Sequence, residues 1–402
     1  MLKVAFFIPN KGFYSRDLSN VDNGNPGIGG SEFSAILIAS NLSKNYNFNI
    51  TLLCEKKGIF PPNLKVKACG CLEQSLRYAE KETYDFFVLD AKFFYKKLLV
   101  RFFNIKFIAW ANCFIEPHKY WLFAQYDNLI KVVNVGYHQH DLLKKTIVGE
   151  KSTYIYNAVP SAFLKNITIL PIKKRKHNVI YIGSLHKAKG FHLLAKAWPK
   201  ILEQVPDAQL YVVGSGHLYG GKTKLGKWQI AQESYECEFM PYLTNKEKII
   251  PSVHFMGIMG EEKYQLLNEC KVGVPNPSGV SETFGYTAVE MELIGCLVTT
   301  ISCPGYLDTV FDKRNLYIQT DELAYKVIEL LNADTIEYDE VLSFVSKFSV
   351  DEIIKTWDSF FVSLKKNTYS CFSRPKFKEM TKAWVGIDIR ILKNLIKSLF
   401  KR

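Results

Sequence analysis

Several features are absent from this 402-residue sequence, and each absence narrows what it can be. No stretch approaches the ~18 consecutive apolar residues of a membrane-spanning helix. The opening segment MLKVAFFIPNKG holds an apolar run of only five residues before Pro9, which is short for the core of a secretory leader. The nine cysteines are odd in number and contain no C-x-x-C pair, so they suggest neither a zinc ribbon nor a dithiol redox centre. They read as reduced thiols, and the expected location is cytoplasmic. No G-x-G-x-x-G joins the first apolar strand to the helix after it, which removes the dinucleotide-dependent oxidoreductases.

What is present describes a globular chain: 48% hydrophobic, 23% charged and 14% aromatic residues. A single hydrophobic core stops growing near ~250–300 residues, so this length predicts two domains. The formal net charge is +13, unevenly placed: residues 365–402 carry eleven Lys and Arg against two acids. A basic excess confined to one end points to an anionic partner for that end rather than to a basic fold.

The run KVAFFIP, bounded by Pro and Gly, has the pattern of a strand buried on both faces of a parallel sheet. A glycine-rich loop with Gly27, Gly29 and Gly30 follows, then Ser31 as a candidate N-cap and Ile36, Leu37 and Leu42 at helical spacing. NITLLCE, DFFVLDA, KFIAW, KVVNVG and STYIYNAV recur between polar stretches, the alternation of a doubly wound α/β domain. The text changes around the proline- and lysine-rich PSAFLKNITILPIKKRKHN, and then the same grammar restarts. The reading is an N-terminal Rossmann-like domain at 1–165, a linker at 166–178 and a second Rossmann-like domain at 179–350. A helix at 351–366 packs back on the first domain, and a basic amphipathic tail follows at 367–402.

Glu282 and Glu290 lie eight positions apart in SGVSETFGYTAVE. With a helix from about Ala288, Glu290 sits near its start and Glu282 in the preceding loop. Both can then face one backbone-rich anion site, although an isolated pair of this kind is more often two solvated acids near a helix N-terminus. His138 and His140, with Asp141, raise a metal site, but an H-x-H at a helix start more often lies in a polar turn, and none is expected.

The order of these motifs resembles the GT-B glycosyltransferases of family 4. The carriers are a Gly-Gly loop near the N-terminus, GSL with a following KG, VVGSG, and E-x7-E opening a helix. The resemblance spans roughly residues 1–364 and implies two Rossmann-like domains facing across a cleft. It implies that Lys189 neutralises the diphosphate of a UDP- or GDP-sugar, that Glu282 steadies the donor sugar, and that Glu290 accepts both ribose hydroxyls. Gly29, Gly30, Gly183, Ser184, Gly214 and the backbone of Thr283, Phe284 and Gly285 complete the donor site. Ser184 stands where the family commonly has arginine, so the expectation is either that His186 or Lys187 compensates or that activity is reduced. On the acceptor side the candidates are Asn112 and His118. The implied reaction is retaining transfer to a hydroxyl of a glycan or lipid-linked acceptor, in cell-surface polysaccharide or glycolipid assembly, without cofactor or protein-bound metal. The alternatives are a non-catalytic nucleotide-sugar-binding protein and a GT-B epimerase or phosphorylase.

In the tail, IRILKNLIKSLFKR places apolar residues on one helical face, with Trp384 upstream. Residues 384–402 read as an interfacial anchor on anionic lipid, making the protein peripheral on the inner face of a membrane, or as a helix packing on protein. Nucleic acid is not expected, because no recognisable module accompanies the charge.

Overall fold

The computed structural model describes residues 1–45, 47–216 and 224–366. The basic tail, with the anchor read at 384–402, lies outside the described residues. Seven parallel strands form the first sheet: β1 (Leu2–Ile8), β2 (Phe48–Cys54), β3 (Lys65–Ala68), β4 (Phe86–Asp90), β5 (Phe107–Ala111), β6 (Leu129–Asn134) and β7 (Ser152–Tyr154). Their order is β3-β2-β1-β4-β5-β6-β7, so the chain reverses direction across the sheet between β1 and β4. Strands β1, β2, β4 and β5 are almost wholly buried, which is why they read as unbroken apolar runs.

The second sheet contains β8 (Lys176–Ile182) and β9 (Gln209–Val213). Next come β10 (Thr244–Asn245) and β11 (Lys248–Ile249), a short antiparallel pair beside it. β12 (Val253–Gly257), β13 (Cys270–Gly273) and β14 (Leu297–Val298) complete the parallel order β12-β9-β8-β13-β14, which reverses between β8 and β13. β15 (Thr300–Ile301) pairs with β16 (Leu316–Tyr317) apart from it. The segment CLVTTI, readable as one strand, is thus divided between two sheets. The second domain's sheet begins at Lys176, inside the segment that reads as linker, because Arg175 is buried and donates to the carbonyls of Leu170, Cys270 and Ile294.

The Val350–Lys366 helix lies on the first domain. The Trp357 ring meets those of Phe6 and Trp110 edge-on at 6.3 and 5.1 Å, and Phe361 packs on Phe48 and Phe86. Among the described residues no helix is long and apolar enough to cross a membrane.

The Tyr286–Leu293 helix starts two residues before Ala288 and is buried from Ala288 onward. Its two acids point to different tasks. Glu292 accepts the Phe311 N–H at 2.7 Å through one oxygen, while the other oxygen is buried without a partner. Burial pushes its pKa from 4.5 to about 8. The folded state therefore holds a proton that the unfolded chain releases above 4.5, so this group stabilises the fold at acid pH and its contribution is lost as pH rises toward 8. The slope is about 1.4 kcal/mol per pH unit. Glu292→Gln is expected to flatten the fall in stability between pH 5 and 8, as read by denaturant unfolding across that range. An unchanged slope in the variant is the result that contradicts it.

Candidate functional site

Both points of strand reversal open toward each other, and such points are where ligands of doubly wound sheets bind. Between them is a cleft of about 200 Å³. Its first-domain wall is the loop after β1 and the start of the next helix: Asn25, Gly27, Ile28, Gly30 and Phe33. Its second-domain wall carries Gly183, Ser184, Lys189, Gly214, Lys263, Asn276, Glu282, Tyr286, Thr287 and Glu290.

The Gly30–Leu42 helix is capped by Gly29, not Ser31, and no side chain bonds its first N–H groups. Those donors, with the positive end of the helix dipole, remain for an anion. On the other wall, Gly214 follows β9 with a φ of +140°, and a Cβ there would lie 1.8 Å from the Gly183 carbonyl oxygen. Only glycine lets these two loops touch.

Lys189 ends a 3-10 turn, and its Nζ donates to Glu282 Oε2 at 2.9 Å. Asn276 Nδ2 donates to the same oxygen, also at 2.9 Å. Deeper in the cleft, Glu290 Oε1 accepts from Lys263 Nζ at 2.7 Å and from the Tyr264 hydroxyl at 2.9 Å. Both members of the Lys263–Glu290 pair are buried, at 5% and 6% exposure, so they gain more from each other than a surface pair would. One carboxylate oxygen of Glu290 is thereby engaged, and Oε2 is the oxygen left to meet a ligand.

Other expected residues are placed differently. The cleft is not lined by Thr283, Phe284 or Gly285. Thr283 Oγ1 instead donates to the Asn112 carbonyl of the first domain at 2.6 Å. Phe284 is buried against Tyr156, Tyr286 and Phe348, and Gly285, at φ +86°, would drive a Cβ to 2.6 Å from the Tyr306 ring. This segment joins the domains; its neighbours Glu282, Tyr286 and Thr287 reach the cleft. Gly29 is one residue back from the lining residue Gly30. The Lys187 ammonium turns to Glu238 at 2.8 Å and His186 Nδ1 accepts from the Ala188 N–H, so neither replaces an arginine at Ser184. Among the described residues, Lys189 and Lys263 are the cations on the lining.

His118 does not reach a cleft: its side chain is 70% exposed, 3.6 Å from Glu116. Asn112 lines a small pocket at the carboxyl end of the first sheet, beside Asp90, Glu32 and Trp110. Lys92 Nζ lies 3.3 Å from both Glu32 Oε1 and Asp90 Oδ2. Burial raises the pKa of Asp90 against the pull of Lys92. A larger cleft of about 490 Å³ continues from Asp90 and Lys92 past Cys113, Phe114 and Lys119 to Ser281, the neighbour of Glu282.

The histidines of VGYHQHDLL part company, as residues two apart on a helix must. His138 Nδ1 lies 2.8 Å from Asp308 Oδ1 of the second domain, and its N–H donates to Oδ2 at 3.1 Å. His140 Nδ1 lies 2.8 Å from Ser152 Oγ, and Asp141 pairs with Lys144. Among the described residues no group of three His, Cys, Asp or Glu side chains is placed to hold a metal.

Lys263, Tyr264, Asn276, Asp90 and Lys92 were not legible as site residues. Lys263 reads as one more charge in a charged helix, and only the i, i+4 step from Lys263 to the buried Leu267 hints that it faces inward. Asp90 ends an apolar strand, but the strand order that puts that end at the crevice is a tertiary fact.

Residues 176–333 match the family model described as glycosyl transferases group 1. Comparison with curated proteins gave no match. HepE of Anabaena, solved with UDP and glucose, is similar with a TM-score of 0.64 and 17% identity over 90% of this chain and 100% of that one. A glycosyltransferase from Rickettsia africae has a TM-score of 0.60 and 13% identity over 91% and 99% of the two chains. AviGT4, a glycosyltransferase involved in avilamycin A biosynthesis, has a TM-score of 0.58 and 13% identity over 92% and 99%. The chain thus has the GT-B fold, two Rossmann-like domains across a cleft, and the glycosyl transferases group 1 family is matched by its second domain.

Proposed function

We propose that this protein is a retaining glycosyltransferase that moves a sugar from a nucleoside diphosphate to a hydroxyl of a glycan or lipid-linked acceptor. The observation that carries the proposal is the convergence of Lys189, Glu282 and Glu290 on one cleft, opposite the uncapped start of the Gly30–Leu42 helix in the other domain. A diphosphate between these walls meets free N–H groups on one side and the Lys189 ammonium on the other. Its growing negative charge as the sugar departs is what such donors stabilise. Glu282 stands where the anomeric carbon gains positive charge, and Glu290 Oε2 takes a ribose hydroxyl. On this reading Lys189, held by Glu282 until the donor arrives, is shared with the leaving phosphate. The departing oxygen takes the acceptor proton on the same face, so no nucleophile or protein-bound metal is needed.

UDP is the favoured nucleotide, because HepE, a structural neighbour of this chain, was solved with it; GDP is the other arm of the test. A lipid-linked acceptor suits the basic sequence of residues 384–402. The test is a thermal-shift and calorimetric screen of UDP, GDP, UDP-glucose and GDP-mannose. A ligand at a hundred times its Kd adds about 2.7 kcal/mol to stability. Unchanged melting with all four sinks the donor assignment, and an inverted anomeric configuration in the product, read by NMR, sinks retention.

A further inference from the structure

Asp90 is the carboxylate that neither the fold nor the donor site accounts for. It ends β4 beside β1, where the strand order reverses, so its side chain stands at the crevice of the first sheet. Oδ1 is taken: it accepts the Lys92 N–H at 2.9 Å. Oδ2 is buried and its charge is paired with Lys92 Nζ at 3.3 Å, but it receives no well-aligned hydrogen bond, so it has room for a further donor. A buried acceptor left open is unfavourable unless something else supplies the donor.

The surroundings indicate what that donor is. Asp90 lines two cavities at once. One holds about 20 Å³, room for a single water-sized group, and is shared with Glu32, Asn112 and Trp110, whose Nε1 is a second buried polar atom without a partner. The other is the cleft of about 490 Å³ that runs past Phe114 to Ser281, next to Glu282. An acceptor without a well-aligned donor and an N–H without a partner, on two residues that line one water-sized cavity, match a hydroxyl, whose O–H donates and whose oxygen accepts. A larger ligand lying along the cleft can present such a hydroxyl while its ring rests on the exposed face of Phe114.

We propose that Asp90 Oδ2 accepts the hydrogen bond of a sugar hydroxyl, carried by the transferred sugar or by the acceptor, with Lys92 and Glu32 fixing the carboxylate in place. This rests on the glycosyl-transfer reading and adds to it a residue on the first-domain side that touches substrate. The transferred sugar and the acceptor offer the same chemistry, and binding measurements separate them.

Asp90→Asn preserves shape and can keep the bond from the Lys92 N–H, but it replaces the second acceptor oxygen by a donor. Three titrations compare it with the wild type: UDP, UDP-glucose, and octyl β-D-glucoside. The last is read by protection of Cys113 in the cleft from N-ethylmaleimide, with the exposed Cys237 of the second domain as internal control. UDP affinity is expected to stay unchanged, which also reports a folded donor site, while one sugar-bearing ligand weakens ~10-fold or more. Loss on UDP-glucose assigns the hydroxyl to the transferred sugar; loss on the glucoside assigns it to the acceptor. Both ligands binding the variant as they bind wild type overturns the proposal, as does wild-type protein that prefers UDP-glucose no more than UDP and gains no Cys113 protection. Wild-type protein that ignores UDP defeats the donor reading instead, and the glucoside titration still decides Asp90. Should Asp90→Asn not fold, Lys92→Met is expected to weaken the same ligand, and wild-type binding by that variant counts against the proposal.

Discussion

Lys189→Ala and Glu282→Ala are each expected to lower turnover of the bound donor by ~10²-fold or more, with UDP affinity changed by far less. The disparity follows from where charge appears. In the ground state Lys189 is already balanced by Glu282 at 2.9 Å, so the cleft gains little attraction for a resting diphosphate by keeping the pair. On the proposed reaction, negative charge gathers on the phosphate and positive charge on the sugar as the bond between them breaks, and the two members of the pair then meet opposite partners. Interactions that strengthen only at that point affect kcat more than binding. Because the two side chains are bonded to each other, their losses overlap, and the double variant is expected to fall short of the product of the singles. Single-turnover release of UDP from a saturating UDP-sugar is the measurement. Wild-type rates in either single variant remove that residue from the chemistry, and strictly multiplicative losses show that the pair does not act together.

Much of this arrangement could be read from the chain before any coordinates. β1, β2, β4 and β5 are buried on both faces, and that burial writes itself into sequence as unbroken apolar runs bounded by turn residues. Of the site residues that the cleft brings together, Glu282 and Glu290 were legible through their spacing within one local segment, and Lys189, Gly30, Gly183, Ser184 and Gly214 through the motifs that carry the family resemblance. What failed was whatever depends on packing between distant segments. β3 is largely exposed and polar, with the sequence KVKA, and offered no apolar signal. Thr283 and Phe284 sit amid the site motif, yet the Thr283 side chain bonds the first domain at Asn112 and the Phe284 ring packs among Tyr156, Tyr286 and Phe348. His118 looked near the site because it follows β5 closely, but a 3-10 turn carries it outward to solvent. Lys263 and Asp90 each look ordinary in their own helix or strand and acquire meaning only from what folds against them.

The Lys263–Glu290 pair allows architecture and ligand recognition to be separated. Glu290→Ala leaves the Lys263 ammonium, 5% exposed, without its carboxylate, and Lys263→Met leaves the carboxylate with only the Tyr264 hydroxyl. Removing one partner of a buried pair costs about 3–5 kcal/mol, so each single variant is expected to lose stability on that scale. Replacing both by apolar residues of similar size, Lys263→Met with Glu290→Leu, removes both desolvated charges together and is expected to restore most of it. Affinity for UDP should not follow stability. If Glu290 Oε2 receives a ribose hydroxyl, the double variant folds as well as wild type yet binds UDP ~10-fold or more weakly, while Lys263→Met, which keeps the carboxylate, binds better than either variant lacking it. Urea unfolding and calorimetric titration of UDP on the same three proteins read the two quantities independently. A double variant that recovers both stability and UDP affinity would reduce Glu290 to a structural acid and move the ribose elsewhere. A double variant that recovers only stability leaves the carboxylate with a single remaining task, holding the nucleotide.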